Sequence, residues 1–299
     1  HEKIAPSPLL SALFDGPLDK GVDLVSGGAV YNSSGATNIG FADVVDSLNA
    51  IECVFEDGKY TMKEVIDAVE NNFEGDTGEG LRLYLSEKTR KYGTLEETVG
   101  SKSKKTRKCG TSDETAGGKG ISCELVKFLH KTYQGYTNNR KGKYRSSFWS
   151  MTNHSGQGKI THALPNGRKA GEFFASGITP VAGAAKNLTE CLNAVAALGG
   201  DNMPGGIALN IKFMKLDEDD IKNFCAFIEG YFANGGLQIQ FNTMSNKKLR
   251  EARKKPKEYR DLLVRVSGYS AYFNDLTDHM KDELIKRAEY DVQTGKQEE

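Results

Sequence analysis

The sequence predicts an α/β fold, and three observations carry that expectation. Apolar and polar residues alternate over 207–213 (Ile207-Ala208-Leu209-Asn210-Ile211-Lys212-Phe213) and again over 237–241, and the apolar run 262–266 reads as a third strand. Between the first two strands, Ile221, Phe224, Cys225, Ile228 and Phe232 fall at helical spacing, which predicts a helix from Asp217 with that stripe inward. Strand–helix–strand units of this length favour parallel pairing, because a parallel crossover needs about the length of a helix.

The remaining elements follow in order. The chain opens His1-Glu2-Lys3-Ile4, without Met, and runs at once into apolar Pro8–Phe14, so either its start was processed or it is a piece of a longer protein. Gly27-Gly28-Ala29-Val30-Tyr31-Asn32 reads as a turn-rich loop. Ala42–Glu52 reads as a helix carrying Val44, Val45, Leu48 and Ile51. Thr61, with Glu64 three residues on, predicts a capping box at the head of a helix with Val65, Ile66 and Val69, ending near Asn72. Residues 87–122 read as a loop region containing the basic run 101–108 and a polar, Gly-rich stretch to Gly120. With no aromatic residue interleaved for stacking on bases, that run reads as a solvated surface, and no nucleic acid is expected as a partner.

Leu125, Phe128 and Leu129 predict a helix, Ser147–Thr152 a strand, Leu164–Lys169 a turn, and the stripe Leu188, Leu192, Val195 and Leu198 a core-facing helix. Gly235-Gly236 should stop the helix begun at Asp217. Lys247–Lys254 reads as a charged helix, Pro256 as the start of another, and Asp278–Tyr290 as a final amphipathic helix.

Composition narrows the function classes. Forty basic residues balance forty acidic ones, and 27% charged with 38% hydrophobic is a globular balance, which excludes wholesale disorder and a strongly basic nucleic-acid binder. No apolar run approaches the ~20 residues that span a bilayer. Five scattered cysteines (Cys53, Cys109, Cys123, Cys191, Cys225) show neither zinc spacing nor a disulfide framework, so the chain reads as reduced and cytoplasmic, with no metal site. Glycine is in surplus, 33 of 299 residues against an average of about 7%, which suggests many tight turns or close backbone approaches.

Familiar catalytic motifs are absent: no GxSxG, GxxxxGK[ST], HExxH, or GxGxxG after a strand. Asp217, Glu218, Asp219 and Asp220 sit where carboxylates complement a helix dipole, which accounts for them without catalysis. His154 and His162 lie in polar sequence without a partnering motif and read as ordinary histidines. One stretch stands apart. In Arg265-Val266-Ser267-Gly268-Tyr269-Ser270-Ala271-Tyr272-Phe273 a glycine follows an apolar strand, and the aromatics Tyr269, Tyr272 and Phe273 predict a turn that is buried rather than wet.

That stretch resembles the radical-bearing loop of the glycyl radical enzymes, the pyruvate formate-lyase and glycerol/diol dehydratase superfamily, whose signature Arg-Val-x-Gly-Tyr-x-Ala-x-Phe it matches at every fixed position. Further blocks resemble the family in family order. They are Gly27–Asn32, Asp46–Ile51, Leu164–Glu172, Gly177–Val181, Leu209–Phe213 and Gly235–Asn242. The resemblance implies the C-terminal half of a ten-stranded α/β barrel of the pyruvate formate-lyase type. Residues 1–240 would belong to the second half of the barrel region and 241–299 to a glycyl radical domain.

It further implies that Gly268 stores an unpaired electron on its α-carbon. Only glycine serves there, since a β-carbon would crowd the flattened centre. The radical passes to a cysteine whose thiyl takes a hydrogen atom from substrate. By the same resemblance, no bound cofactor or metal is expected. A separate activating enzyme, using S-adenosylmethionine and an iron–sulfur cluster, installs the radical. The whole enzyme is expected to be a homodimer.

The family's thiyl cysteine lies in a Gly-Cys loop well before the glycine, and none of the five cysteines here has that context. The resemblance therefore implies that a missing region or a partner chain carries the thiyl cysteine and the first half-barrel. Ser270-Ala271-Tyr272 and the tail Asp282–Arg287 resemble the dehydratase/decarboxylase-like lyases. There the matching arginine, Arg287, lies near substrate; a surface cation at a helix C-terminus is the alternative reading. A pyruvate formate-lyase-type acyltransferase, radical addition of a hydrocarbon to fumarate, and a non-catalytic spare-part radical domain remain as alternatives.

Overall fold

The computed structural model describes residues 3–99, 119–213 and 217–291. The elements run α1 (Pro8–Ser11), α2 (Pro17–Lys20), β1 (Ser34–Thr37), α3 (Phe41–Asp57), α4 (Met62–Glu70), α5 (Gly75–Lys88), α6 (Leu95–Val99), α7 (Ile121–Gln134), β2 (Tyr144–Ser147) and α8 (Asn153–Ile160). Then come α9 (Leu188–Ala196), β3 (Asn210–Phe213), α10 (Ile221–Ala233), β4 (Gln240–Asn242), α11 (Asn246–Lys254), β5 (Leu263–Arg265), β6 (Ser270–Tyr272), α12 (Asp278–Lys286) and β7 (Glu289–Tyr290). The basic run 101–108 and Cys109 lie outside the described residues, but 87–99 and 119–122 are not loop throughout: α5 reaches Lys88, α6 follows, and α7 begins at Ile121.

The parallel expectation holds at the centre. β3 pairs in parallel with β4 on one side and β7 on the other, and β1 pairs in parallel with β2. Phe148 and Ile207 form an isolated parallel bridge that joins the end of β2 to the approach of β3. The β5–β6 pair is an antiparallel hairpin. Leu209, Ile211 and Phe213 are buried in the main core with α9 and with Phe224, Phe227 and Tyr231 of α10. The alternate residues, Asn210 and Lys212, are buried on the opposite face, toward the C-terminal segment.

Several elements differ from the sequence expectation for identifiable reasons. The 207–213 strand pairs as a ladder only from Asn210, because the Leu209 N–H is taken by the Gln238 side chain (3.1 Å) and the Ala208 N–H by Phe148 (2.9 Å). The 237–241 strand pairs only over Gln240–Asn242. The strand expected at 147–152 instead spans Tyr144–Ser147. On α10 Tyr231 is buried and Phe224, Phe227 and Ile228 are half-buried, while Ile221, Cys225 and Phe232 face outward; two apolar stripes overlap on this helix, and periodicity alone does not choose between them. Pro256 opens a turn, not a helix. The last helix stops at Lys286, and Glu289–Tyr290 becomes an edge strand because pairing with β3 and burial of Tyr290 override helical propensity. The Thr61–Glu64 capping box and the cap formed by Asp217 and Asp220 are present.

Helix α3 turns only part of its expected apolar stripe inward: Val45 is buried and Ile51 half-buried, but Val44 and Leu48 are exposed. Val44 and Phe55 are exposed, whereas Asp43, Asp46 and Asn49 are buried with Val45 and Ala50. Its carboxylates pin loops: Asp43 accepts the Ala175 N–H (2.8 Å) and Asp46 the Tyr92 N–H (2.7 Å). Burial pushes the Asp46 carboxyl up to about 7. The folded chain therefore binds more protons than the unfolded one between about pH 4 and 7, and this group's contribution to stability falls as pH rises through that window. Asp46→Asn, which keeps the acceptor for Tyr92, should be more stable than wild type at pH 8 by on the order of 2 kcal/mol, with the gap closing toward pH 4. Thermal unfolding against pH measures this; a pH-independent gap would contradict it.

Candidate functional site

Residues 244–285 form a small cluster of their own, with Leu249, Ala252, Leu262, Val264, Phe273, Leu284 and Ile285 at its centre. From it the β5–β6 hairpin projects, closed by the Val266 N–H donating to the Tyr269 carbonyl (2.9 Å). Gly268 lies at the tip with φ +84°, a conformation that disfavours other residues. The sequence expectation of a buried tip is not met within this chain. Gly268 is exposed and Tyr272 is 48% exposed; Phe273 alone of the three aromatics turns fully into the cluster, and Tyr269 is half-buried. The alternation that sends Phe273 inward sends Tyr272 out.

The hairpin is held from below by two side chains on one face of β4. The Asn242 amide accepts the Arg265 N–H (2.7 Å) and donates to the Arg265 carbonyl (2.6 Å), as a neighbouring strand's peptide would. Gln240 Oε1 accepts from Arg265 Nε (2.7 Å) and from the Gly268 N–H (3.1 Å). The register Asn210↔Gln240 and Lys212↔Asn242 fixes both on the central sheet.

From the other side Arg287 reaches the same strand. Its Nη1 donates to the Arg265 carbonyl (3.3 Å), while Nε and Nη2 grip both oxygens of Glu283 (2.8 and 2.9 Å). The Arg287 and Glu283 side chains are 9% and 3% exposed, so this is a buried ion pair rather than a surface cation at a helix end. Burial pushes the Glu283 carboxyl up, but Arg287 and His154 pull it down to about 2. His154 is fully buried; its Nδ1 is 2.9 Å from Ser150 Oγ and its Nε2 3.5 Å from Glu283 Oε1. Ser150 in turn neighbours Ser176, which accepts from Asn210 Nδ2 (3.2 Å). A polar chain thus runs from β3 through His154, Glu283 and Arg287 to the hairpin. Beside it is a cavity of about 360 Å³, lined in part by Asn210, Ser176, Thr179, Glu283 and Arg287.

Lys212 ties the segment down. Buried beneath α12, it donates to Asn246 Oδ1 (2.6 Å) and to the Leu284 carbonyl (3.0 Å), and burial lowers its ammonium to about 8. The structure therefore brings Gly268, Arg265 and Arg287 together. His162 is exposed and does not line the cavity. Cys53, Cys123, Cys191 and Cys225 lie on α3, α7, α9 and α10, and burial pushes the Cys191 thiol up to about 12. Among the described residues no cluster of His, Cys, Asp or Glu is arranged to hold a metal, and no helix is long and apolar enough to cross a membrane.

Comparison with known proteins decides the family. Residues 1–158 match the pyruvate formate lyase-like family, and residues 174–274 match the glycine radical family. The chain belongs to the glycyl radical enzyme superfamily. It is 32% identical to the trans-4-hydroxy-L-proline dehydratase of Clostridioides difficile over 96% of its own length and 34% of that protein. It is 30% identical to the (2S)-3-sulfopropanediol dehydratase of Klebsiella oxytoca, covering 97% of this chain and 34% of the relative. Among solved structures, the B12-independent glycerol dehydratase from Clostridium butyricum superposes with a TM-score of 0.82 at 29% identity, over 97% of this chain and 35% of that one. The chain thus spans about a third of the length of the glycyl radical enzymes it matches.

The sequence singles out Gly268 and Arg287 as candidates, and the structure adds Gln240, Asn242 and Glu283 around them. The Glu283/Arg287 spacing of four on a helix was a visible signal. So was Gln240-Phe241-Asn242, a pair of amides on one strand face opposite an apolar residue.

Proposed function

We propose that this chain is the radical-bearing portion of an oxygen-sensitive glycyl radical lyase of the dehydratase/decarboxylase type. The observation that carries the reading is the Arg265–Phe273 signature folded as a hairpin, with Gly268 at its tip in a left-handed conformation and its N–H tied to β4. On this reading, an activating enzyme with an iron–sulfur cluster and S-adenosylmethionine removes one α-hydrogen from Gly268. A cysteine thiol in the rest of the enzyme then gives its hydrogen atom to the Gly268 α-carbon and becomes a thiyl, which abstracts hydrogen from substrate and later returns it. Arg287, on the cavity wall and fixed by Glu283, serves substrate orientation there. The three similar proteins named above, all dehydratases, favour this branch.

The strands β1–β4 and β7 belong, on the same reading, to the second half of a ten-stranded barrel. Residues 1–240 make up that region and 241–299 the radical domain. The first half-barrel and the Gly-Cys loop come from the rest of the protein or a partner chain. That portion would cover the exposed apolar residues of 4–31, among them Leu9 at 81%, Leu13 at 76% and Tyr31 at 87% exposure. It would also cover the hairpin tip, keeping dioxygen from the radical. The assembled enzyme would be a homodimer.

The test uses the activated, anaerobic enzyme and changes each of Cys53, Cys109, Cys123, Cys191 and Cys225 to Ser. Hydrogen-atom transfer needs near contact; Cys53, Cys123, Cys191 and Cys225 lie on helices, and Cys109, outside the described residues, lacks the Gly-Cys context in sequence. Turnover per radical should persist in all five variants, and loss in one that still carries the radical would make that residue the thiyl donor instead.

A further inference from the structure

We infer that Gln240 is a positioning residue for the radical, setting the plane and the electron donation of the Gly268 amide. This rests on the reading of Gly268 as the radical site. Gln240 lies on β4, on the central sheet, and is 7% exposed. Two donors, Arg265 Nε–H at 2.7 Å and Gly268 N–H at 3.1 Å, converge on one end of its amide, so that end is the carbonyl oxygen. The other end, Nε2, is buried and has no hydrogen-bond partner among the described residues. A glutamine kept only for structure is arranged to satisfy both ends, since a buried donor without an acceptor is costly. Here one end is given up and the acceptor is held on Gly268.

The chemistry explains what that acceptor does. An α-carbon radical in a peptide is stabilised from two sides, by the carbonyl that withdraws and by the amide nitrogen that donates. An N–H that donates a hydrogen bond leaves its nitrogen more electron-rich, so Oε1 strengthens the donating side. It also fixes the peptide plane preceding Gly268 while the α-carbon flattens. The hairpin itself is a projecting turn with a glycine at its tip, and among the described residues nothing within 4 Å would meet a β-carbon there. The Val266–Tyr269 bond closes the turn, and the Gly268 N–H itself is fixed from outside the hairpin. Gln240 fixes it from a strand, with its oxygen locked by Arg265, whose backbone is in turn clamped by Asn242.

The experiment compares Gln240→Leu and Gln240→Glu in the full chain, assembled with the rest of the enzyme and activated anaerobically. Two quantities are read. One is hydrogen exchange at the Gly268 amide before activation. The other is the lifetime and α-proton splitting of the radical's paramagnetic resonance doublet. Gln240→Leu should speed amide exchange about tenfold, shorten the radical's anaerobic lifetime by a similar factor and shift the splitting. Gln240→Glu keeps an acceptor for both donors and should restore exchange and lifetime to near wild type, which a space-filling role would not do. Unchanged exchange and lifetime in Gln240→Leu overturn the inference. So does a Gln240→Glu protein that unfolds at the wild-type temperature yet behaves like Gln240→Leu. Gly268→Ala separates the two readings: a radical that survives it removes the site assignment and this inference together. If Gly268→Ala is radical-free and Gln240→Leu is unaltered, the inference alone falls.

Discussion

Gly268→Ala should fold as wild type does, yet never acquire a radical and never be cut by air. The structure makes this a clean substitution. Among the described residues a β-carbon at position 268 meets nothing within 4 Å, and the remaining cost is the positive φ of +84°, about 1 kcal/mol for alanine. Loss of the radical would therefore report on chemistry at the α-carbon and not on collapse of the hairpin. Mixed with activating enzyme and S-adenosylmethionine without oxygen, wild type should show a doublet resonance and the variant none. Thermal unfolding of the two should differ by no more than a few degrees. A variant with equal radical content would place the unpaired electron elsewhere.

The second large effect is on stability. Glu283→Gln should destabilise the C-terminal segment by about 3 kcal/mol at pH 7, because it leaves the Arg287 guanidinium buried without its counter-charge. Glu283 is depressed to about 2 in the folded chain. Its contribution is thus fully present above the unfolded carboxylate range near 4.5 and is lost as pH falls from there toward 2. The gap between wild type and variant should close over that acidic window and stay constant above it. Because Arg287 also donates to the Arg265 carbonyl, the variant should loosen the hairpin and raise protease sensitivity around 265–273. A variant equally stable at pH 7, or a gap that widens in acid, would contradict the buried-pair account.

How much of this was legible beforehand depended on which force decided each element. The Thr61 cap, the Leu188 stripe and the strand entering Gly268 are set by local pattern, and the structure has them. The outward turn of Ile221 and Phe232 on α10, the inward Asp43 and Asp46 on α3, and the strand at Glu289–Tyr290 are set by tertiary partners far along the chain. No local period reports such partners. The site divides in the same way. Gly268 is legible as a candidate because the signature it resembles is contiguous. Gln240 and Asn242 show only as two amides on one strand face, because their partners lie 28 and 23 residues away, and Glu283 shows only as an i,i+4 partner of Arg287, because His154 meets it across the packing of α8 on α12. The exposure of Gly268 is not legible from its flanking aromatics, because Tyr272 points outward and Phe273 packs below.

The central claim is that the electron resides on Gly268, and oxygen reports it most directly. Dioxygen adds to a backbone α-carbon radical and breaks the chain there. Activated enzyme opened to air should yield a truncated chain ending at the Ser267–Gly268 junction and a short C-terminal peptide, both identified by mass spectrometry, in amounts matching the radical measured beforehand. A cut mapped to any other residue, or a full-length chain after the radical has been lost to air, would contradict the assignment.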